Sequence, residues 1–328
     1  MHSPHHVQCS GTTIIDTNSN AQQSATILNS FLLKKPENLV VGGVKLSNHL
    51  ILAAGVLGTC GSSLSRMLDL GAGGVVTKSI GPEPRDGHAG PCFYPMEGGL
   101  LNAMGLPNPS HEFVSELDHL SNKPVIVSIF GGNPEEFVTV ARWFLDKACA
   151  FELNVSCPHA HGYGAQIGSN PEIVHACTRA VTMLGKPVWV KLTPNVTDIC
   201  AIGLAAQRGG ASALVAINTV KALRISVPLR RPVLGHGIGG LSGSAIFPIA
   251  LRCVYELHAS CSIPIIGCGG ISSADDVREM MLAGAAAVEI GSAVLDSITI
   301  FSDIAADLYA SGEVSGIDAT EIIGGAHV

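Results

Sequence analysis

From Leu39 onward the chain alternates short apolar runs with amphipathic stretches, and the rhythm repeats eight times. The runs are His49–Ala54, Gly74–Thr77, Val125–Ile129, Phe151–Val155, Val188–Leu192, Ala213–Ile217, Ile263–Gly267 and Ala286–Ile290. Near-continuous apolar runs of this length predict strands buried on both faces. Between them, Pro134–Ala148, Pro171–Leu184, Ile199–Arg208, Ser244–Leu257 and Ala274–Leu282 carry helical spacing, several opened by Pro or by a Ser or Asp cap. Leu257 and the glycines at 209, 210 and 284 mark expected helix exits. Eight strands alternating with helices predict an α/β fold, a single closed all-parallel (β/α)8 barrel. An open doubly wound sheet would want Gly-x-Gly-x-x-Gly after its first strand, and Ala53-Ala54-Gly55-Val56-Leu57-Gly58 does not supply it.

Three pieces stand outside the rhythm. Leu39–Leu46 reads as a β-hairpin around Gly42-Gly43, placed to floor the barrel. Two long insertions, Ser79–Pro109 and Thr219–Gly243, follow strand ends and are expected to lie over the active-site mouth. Residues 1–35 form a polar leader, expected to be flexible, ahead of a barrel domain at 36–328. Its His2, His5 and His6 are read as part of that leader rather than as metal ligands, and Ala25–Leu33 as a short helix.

Composition narrows the function. A hydrophobic content of 47% against 14% charged residues supports a large core and suggests surface buried against another subunit. A net charge of −7 with no basic run argues against nucleic acid. No apolar run is long enough to span a membrane. The start lacks a basic region followed by an apolar core, so no secretory signal is expected. Ten cysteines without a Cys-x-x-Cys pair argue against zinc or iron–sulfur centres in this chain. A reducing cytoplasm with free thiols is the expected setting.

Candidate chemistry gathers at strand ends. Gly267-Cys268-Gly269-Gly270-Ile271 and Glu289-Ile290-Gly291-Ser292-Ala293 follow the seventh and eighth strands, where barrels commonly bind phosphate through backbone N–H groups. Tight turns are the alternative for either loop alone. Phosphate implies a phosphorylated substrate or a nucleotide cofactor such as FMN. Lys78 and Lys191 sit at strand ends in apolar settings, suited to steadying negative charge on a reduced flavin or a substrate, or else to closing a buried salt bridge. Asn102, Asn154 and Asn218, with Thr219, offer the paired donors and acceptors that a pyrimidine edge needs. Glu152-Leu153-Asn154-Val155-Ser156-Cys157-Pro158-His159 ends a strand on a thiol. Cys157 there suits proton transfer from an activated carbon, with a structural cysteine as the alternative.

At these residues the sequence resembles the class 1 dihydroorotate dehydrogenases, closest to the B-type, archaeal-like catalytic subunits. The matching stretches are VVTKSI, LLNAMGLPNP, ELNVSCPH, VKLTPNVTDI, AINTV, RRPVLG, GGLSGSAIFPIALRCVYEL, PIIGCGGI and EIGSAV, in order from about Leu39 to the C-terminus. The resemblance implies FMN contacts at Ala54, Gly55, Lys78, Ser79, Ser128, Asn154, Lys191, Ile217, Gly243, Gly269, Gly270, Gly291 and Ser292. It implies that Asn102, Met104, Gly105 and Leu106 grip the substrate, that Asn154, Asn218 and Thr219 complete its ring contacts, and that Lys78 lies close by. Cys157 would remove the C5 proton of dihydroorotate while the C6 hydride passes to flavin N5.

His159 stands where that family has asparagine, and this resembles the dihydropyrimidine dehydrogenases, which share LTPNVTDI. His159 would still reach the substrate ring. A pyrimidine-reducing flavoprotein is therefore the first alternative, and a non-redox phosphate-binding barrel the second. The B-type resemblance implies a separate iron–sulfur and FAD subunit that passes electrons to NAD, in a heterotetramer. A-type relatives are fumarate-reducing homodimers, and a homodimer is the simpler expectation here.

Overall fold

The computed structural model describes residues 31–156, 159–160, 163–164, 167–312 and 315–327. Its centre is a closed barrel of β1 (Leu50–Leu52), β2 (Gly74–Val76), β3 (Val125–Ile129), β4 (Ala150–Asn154), β5 (Val188–Leu192), β6 (Ala213–Ala216), β7 (Ile265–Cys268) and β8 (Ala285–Ile290). Each strand runs parallel to its neighbours, and β8 closes onto β1. Outside lie α1 (Gly61–Asp69), α2 (Pro134–Trp143), α3 (Pro171–Thr182), α4 (Ile199–Arg208), α5 (Phe247–Ser260), α6 (Ala274–Leu282) and α7 (Ile300–Leu308). Local chemistry starts several of them. Asn133, Asn170 and Asp198 accept from the first free backbone N–H groups of α2, α3 and α4, and Pro134 and Pro171 begin their helices without a missing donor. Ser273 and Asp276 form a reciprocal capping box on α6.

The core has two shells because strand side chains alternate. Ile51, Val76, Ile126, Trp189, Val215 and Ile266 point into the barrel. Leu50, Leu52, Val127, Leu153, Val190 and Leu214 point outward against Phe137, Val174 and Val254 of the helices. The hairpin of Leu39–Val41 and Val44–Leu46 plugs the barrel floor with Val41, Val44 and Leu46. Its turn needs positive φ at Gly42 (51°) and Gly43 (79°), which glycine adopts without strain. Fully buried Trp189 donates from Nε1 to the Gly42 carbonyl at 3.0 Å, tying barrel to floor.

The expected strands are present, each end within two residues of its predicted place. Several expected helix limits are corrected. The helix expected to run to Ala148 ends at Trp143, because Phe144 leaves helical dihedrals (φ −111°) and its buried ring packs in the core. The helix expected over Ser244–Leu257 begins as a 3-10 turn, Ser244–Ile246, and becomes α5 at Phe247. Pro248 lacks an N–H and belongs in a first turn, while the apolar face continues through Leu257 to an end at Ser260. Of the expected helix Ala25–Leu33, residues 25–30 lie outside the described residues, as do His2, His5 and His6. Leu33 itself is fully buried and bridges to Tyr309 and Ile317. Helices α1 and α7 were not anticipated: α1 opens on Gly-Ser-Ser, and the apolar stripe of α7 (Ile300, Ile304, Leu308) is short and follows the last strand.

Both insertions join one antiparallel sheet over the barrel mouth, in the order Val220–Ala222, Gly239–Ser242, Gly99–Asn102, Phe93–Met96. Among the described residues, no helix is long and apolar enough to cross a membrane.

At the base of β1, His49 is buried beside Tyr309, its Nδ1 2.8 Å from the phenol oxygen. Burial lowers its pKa from 6.5 to about 4, against a smaller opposing pull from Asp318. A depressed pKa means that the unfolded chain binds the proton first as pH falls. Stability is therefore full above pH 6.5 and is lost towards pH 4. At about 1.4 kcal/mol for each pH unit crossed, the loss is roughly 3 kcal/mol. Urea unfolding at pH 7 and at pH 4.5 should show this fall, and His49→Gln should lose less; an equal fall in both proteins would disprove the assignment.

Candidate active site

The C-terminal ends of β1 to β8 open beneath the sheet built by the insertions. Residues on or just after four strands, β2, β3, β4 and β6, build a connected polar network there. Asn154, the last residue of β4, donates from Nδ2 to Ser79 Oγ at 3.0 Å. Ser79 lies 2.9 Å from Ser128 Oγ on β3, and Asn218 donates to Asn154 Oδ1 at 3.3 Å. Ser79, Ser128, Asn154 and Asn218 are thus brought together, although they come from four separate stretches of chain. The backbone N–H of Asn218 is fixed by the Leu192 carbonyl at 2.8 Å, and Asn218 Oδ1 accepts from the N–H of Thr219 at 2.8 Å.

One step deeper lies a charged cluster. Lys191 on β5, Glu152 on β4 and Glu289 on β8 all point into the barrel and are buried. The Lys191 ammonium contacts the Glu289 carboxylate and lies 3.8 Å from Glu152 Oε2. Burial opposes the charge on Lys191, but the anionic groups around it outweigh burial and hold its pKa above the ordinary lysine value. Burial pushes the nearby Cys268 thiol up to about 12, so at neutral pH it adds no charge to the cluster. Burial, and then the charge of Glu289, drive the Glu152 carboxyl well above the usual carboxylate range.

The remaining residues line the rim. Ala54 and Gly55 follow β1, and a side chain at Gly55 would meet nothing within 4 Å, so the space beside it is open. Lys78 follows β2, half-buried, with its N–H on the Gly58 carbonyl. Ile217 is buried and donates its N–H to the Cys268 carbonyl at 2.7 Å. After β7, Gly269 and Gly270 hold positive φ (129° and 77°), and a Cβ at Gly270 would strike the backbone at the start of α5. Gly291 leads into a 3-10 turn, Ser292–Leu295. Gly243 closes the inserted sheet against Gly99. Asn102 ends a sheet strand and donates to the Gly240 carbonyl, and Met104, Gly105 and Leu106 continue from it as a loop with Met104 exposed. Cys157 lies outside the described residues. So does the side chain of His159, whose backbone pairs with Gly164. Ser156, next to Cys157, is fixed by Oγ to the Lys191 carbonyl (3.1 Å) and by its N–H to Asn154 Oδ1 (3.2 Å).

Four contributors were not singled out from the sequence. Asn108 Oδ1 accepts from the N–H groups of Gly81 and Ser110 while its Nδ2 donates to the Leu106 carbonyl, so one side chain shapes the loop after Asn102. Asn195 donates to the Thr219 carbonyl and accepts from the Lys221 N–H, holding the second insertion. Glu152 and Glu289 complete the buried cluster. A signal existed for the glutamates: each is an acidic residue inside an otherwise apolar strand. Asparagine in a Pro-rich loop reads as a turn former, which hid the other two.

The donors suit a flavin mononucleotide. Glycine loops after β7 and β8 could admit a phosphate, the serine–asparagine network could offer hydrogen bonds of both senses to an isoalloxazine edge, and buried Lys191 beside Asn154 could supply positive charge. Among the described residues, no cluster of His, Cys, Asp or Glu is placed to hold a metal ion.

A closed parallel eight-stranded barrel with a polar network and glycine loops at its strand ends places the chain among the (β/α)8 barrels, which carry their chemistry at this face. The family model described as dihydroorotate dehydrogenase matches residues 38–311, and the chain belongs to that family. It is 56% identical over 293 residues to the protein of Methanosarcina acetivorans named dihydroorotate dehydrogenase B (NAD(+)), catalytic subunit, covering 87% of this chain and 94% of that one. Proteins of the same name from Methanocella arvoryzae (55% over 290 residues; 87% and 96% covered) and Pyrococcus horikoshii (50% over 277 residues; 83% and 91%) are also similar.

Proposed function

We propose that the chain is the FMN-dependent catalytic subunit that oxidises dihydroorotate to orotate in pyrimidine biosynthesis. Family membership carries this reading, and the network joining Ser79, Ser128, Asn154 and Asn218 at the strand ends supports it. FMN would supply the two-electron acceptor for the C6 hydride. Gly243, Gly269, Gly270, Gly291 and Ser292 would hold its phosphate end by backbone N–H groups, and Ala54, Gly55, Ser79, Ser128, Asn154, Ile217 and Lys191 its ring. Asn154, Asn218 and Thr219 would orient the pyrimidine by paired donors and acceptors, with His159 and Lys78 beside it. Asn102 with the loop Met104–Gly105–Leu106, shaped by Asn108, would take the carboxylate. Cys157 would take the C5 proton on its sulfur, as a general base. Ser156, the residue before it, donates from Oγ to the Lys191 carbonyl.

Relatives named as NAD(+) catalytic subunits favour a separate electron-transfer partner; in this reading that partner would carry the iron–sulfur and FAD groups and assemble on a homodimer of this chain. Exposed apolar Leu223, Ile225, Val227 and Leu229 on the second insertion suit burial against another subunit. The described cysteines are all free, which suits a cytoplasmic protein.

Anaerobic mixing of the purified protein with dihydroorotate is expected to bleach the flavin absorbance rapidly. A protein that binds no flavin, even on reconstitution with FMN, would overturn the reading. A yellow protein that bleaches with dihydrouracil and not with dihydroorotate would establish the pyrimidine-reducing alternative that His159 motivates.

A further inference from the structure

The Glu152–Glu289–Lys191 cluster brings two carboxylates to one ammonium inside a closed barrel; both glutamates are fully buried and Lys191 nearly so. With both carboxylates ionised the cluster would carry one unbalanced negative charge. An uncompensated buried charge is among the costliest arrangements in a protein. Nor do hydrogen bonds relieve it. Both oxygens of Glu152 and Oε1 of Glu289 are without a hydrogen-bond partner in the described structure, and Ser128 and Glu289 are the polar groups that face Glu152. Ionised oxygens left so would be poorly solvated, whereas a proton between the two carboxyls satisfies one oxygen on each.

We propose that Glu152 carries a proton at neutral pH and shares it with Glu289, so that the trio is neutral and Glu152 acts as a positioning residue for the charge of Lys191. Glu289 keeps the ionised role because it contacts the ammonium, while Glu152 stands 3.8 Å away. The groups facing the pair are Lys191 on β5, the neutral Cys268 thiol on β7 and the Ser128 hydroxyl on β3. None supplies a second positive charge.

The position gives the proton a use. Glu152 lies two residues before Asn154 on the same face of β4, about 7 Å deeper in the barrel, and Lys191 is the register partner of Asn154 on β5. The trio therefore forms a charged layer that runs from the level of Asn154, where Lys191 stands, down to Glu152 beneath it. On the flavin reading, on which this part rests, that layer sets how much positive charge meets the negative charge arriving with a hydride. A trio bearing −1 would oppose reduction, and a neutral one would not.

Infrared spectra of the purified protein at pH 7 should contain the carbonyl stretch of a protonated carboxylic acid that Glu152→Gln lacks. Raising the pH of the wild type should convert this band to carboxylate, a reading that needs no variant. Wild-type spectra without such an acid band at pH 7 would overturn the inference whatever the cofactor. Dye-coupled reduction of the bound flavin tests the charge: Glu289→Gln, which leaves Lys191 unbalanced, should raise the midpoint potential, while Glu152→Gln should stay near the wild type. Equal shifts in the two variants would mean that Glu152 is ionised, and would overturn the proposal. An acid band in a protein that takes no flavin would leave the proton in place and refute the flavin reading instead.

Discussion

Cys157→Ala is expected to bind flavin as the wild type does and to lose substrate-driven flavin reduction by about 10²–10⁴-fold, the usual contribution of a general base. In the proposed reaction the C5 proton would leave together with the C6 hydride. A pocket that still binds substrate but has no base leaves that proton in place. Ser156, Asn154 and Lys191 hold the approach to position 157 through their own hydrogen bonds, so the truncation should leave the network intact. Stopped-flow reduction under anaerobic conditions checks this. Reduction at the wild-type rate would remove Cys157 from the chemistry, and loss of flavin along with activity would point to a structural role instead.

Lys191→Ala is expected to cost about 3–5 kcal/mol of stability, the range for removing one partner of a buried ion pair. It leaves the Glu289 carboxylate without its cation in a site with no access to water. Flavin retention should fall as well, because the positive charge below the network is gone. Urea unfolding of the variant, and of the same variant combined with Glu289→Gln, separates the effects. The second substitution should restore part of the loss, since it removes the stranded charge. A cost below about 1 kcal/mol for Lys191→Ala would mean that the pair contributes little to the fold.

Legibility followed the physical source of each signal. The eight strands were readable because burial on both faces demands unbroken apolar runs such as Val125–Ile129 and Val188–Leu192, and their limits held to within two residues. The hairpin was readable from Gly42-Gly43, since few residues tolerate both dihedrals. Helix α1 was hidden by its glycine and serine start, and α7 by the shortness of its apolar stripe, two turns from Ile300 to Leu308. The joining of the two insertions into one sheet was not readable at all. Gly99–Asn102 and Gly239–Ser242 are short, glycine-rich and 137 residues apart from Asn102 to Gly239, and only pairing across the barrel mouth makes them strands.

The candidate site divides the same way. Lys191 could be singled out as a lysine in an apolar strand, but both readings of it remained open in the sequence. Its contact with Glu289, on a strand 98 residues away, exists only because β5 and β8 face one another across a closed barrel. The sequence by itself determined the barrel, its floor and the strand ends at which polar residues must emerge, because periodicity and residue burial act over a few neighbours at a time. Tertiary structure alone decided which of those residues meet: that Asn154 joins Ser79 and Asn218, that one loop is shaped by Asn108, and that two glutamates share one lysine. Those are contacts between distant segments, set by barrel closure and strand register, and no local pattern encodes them.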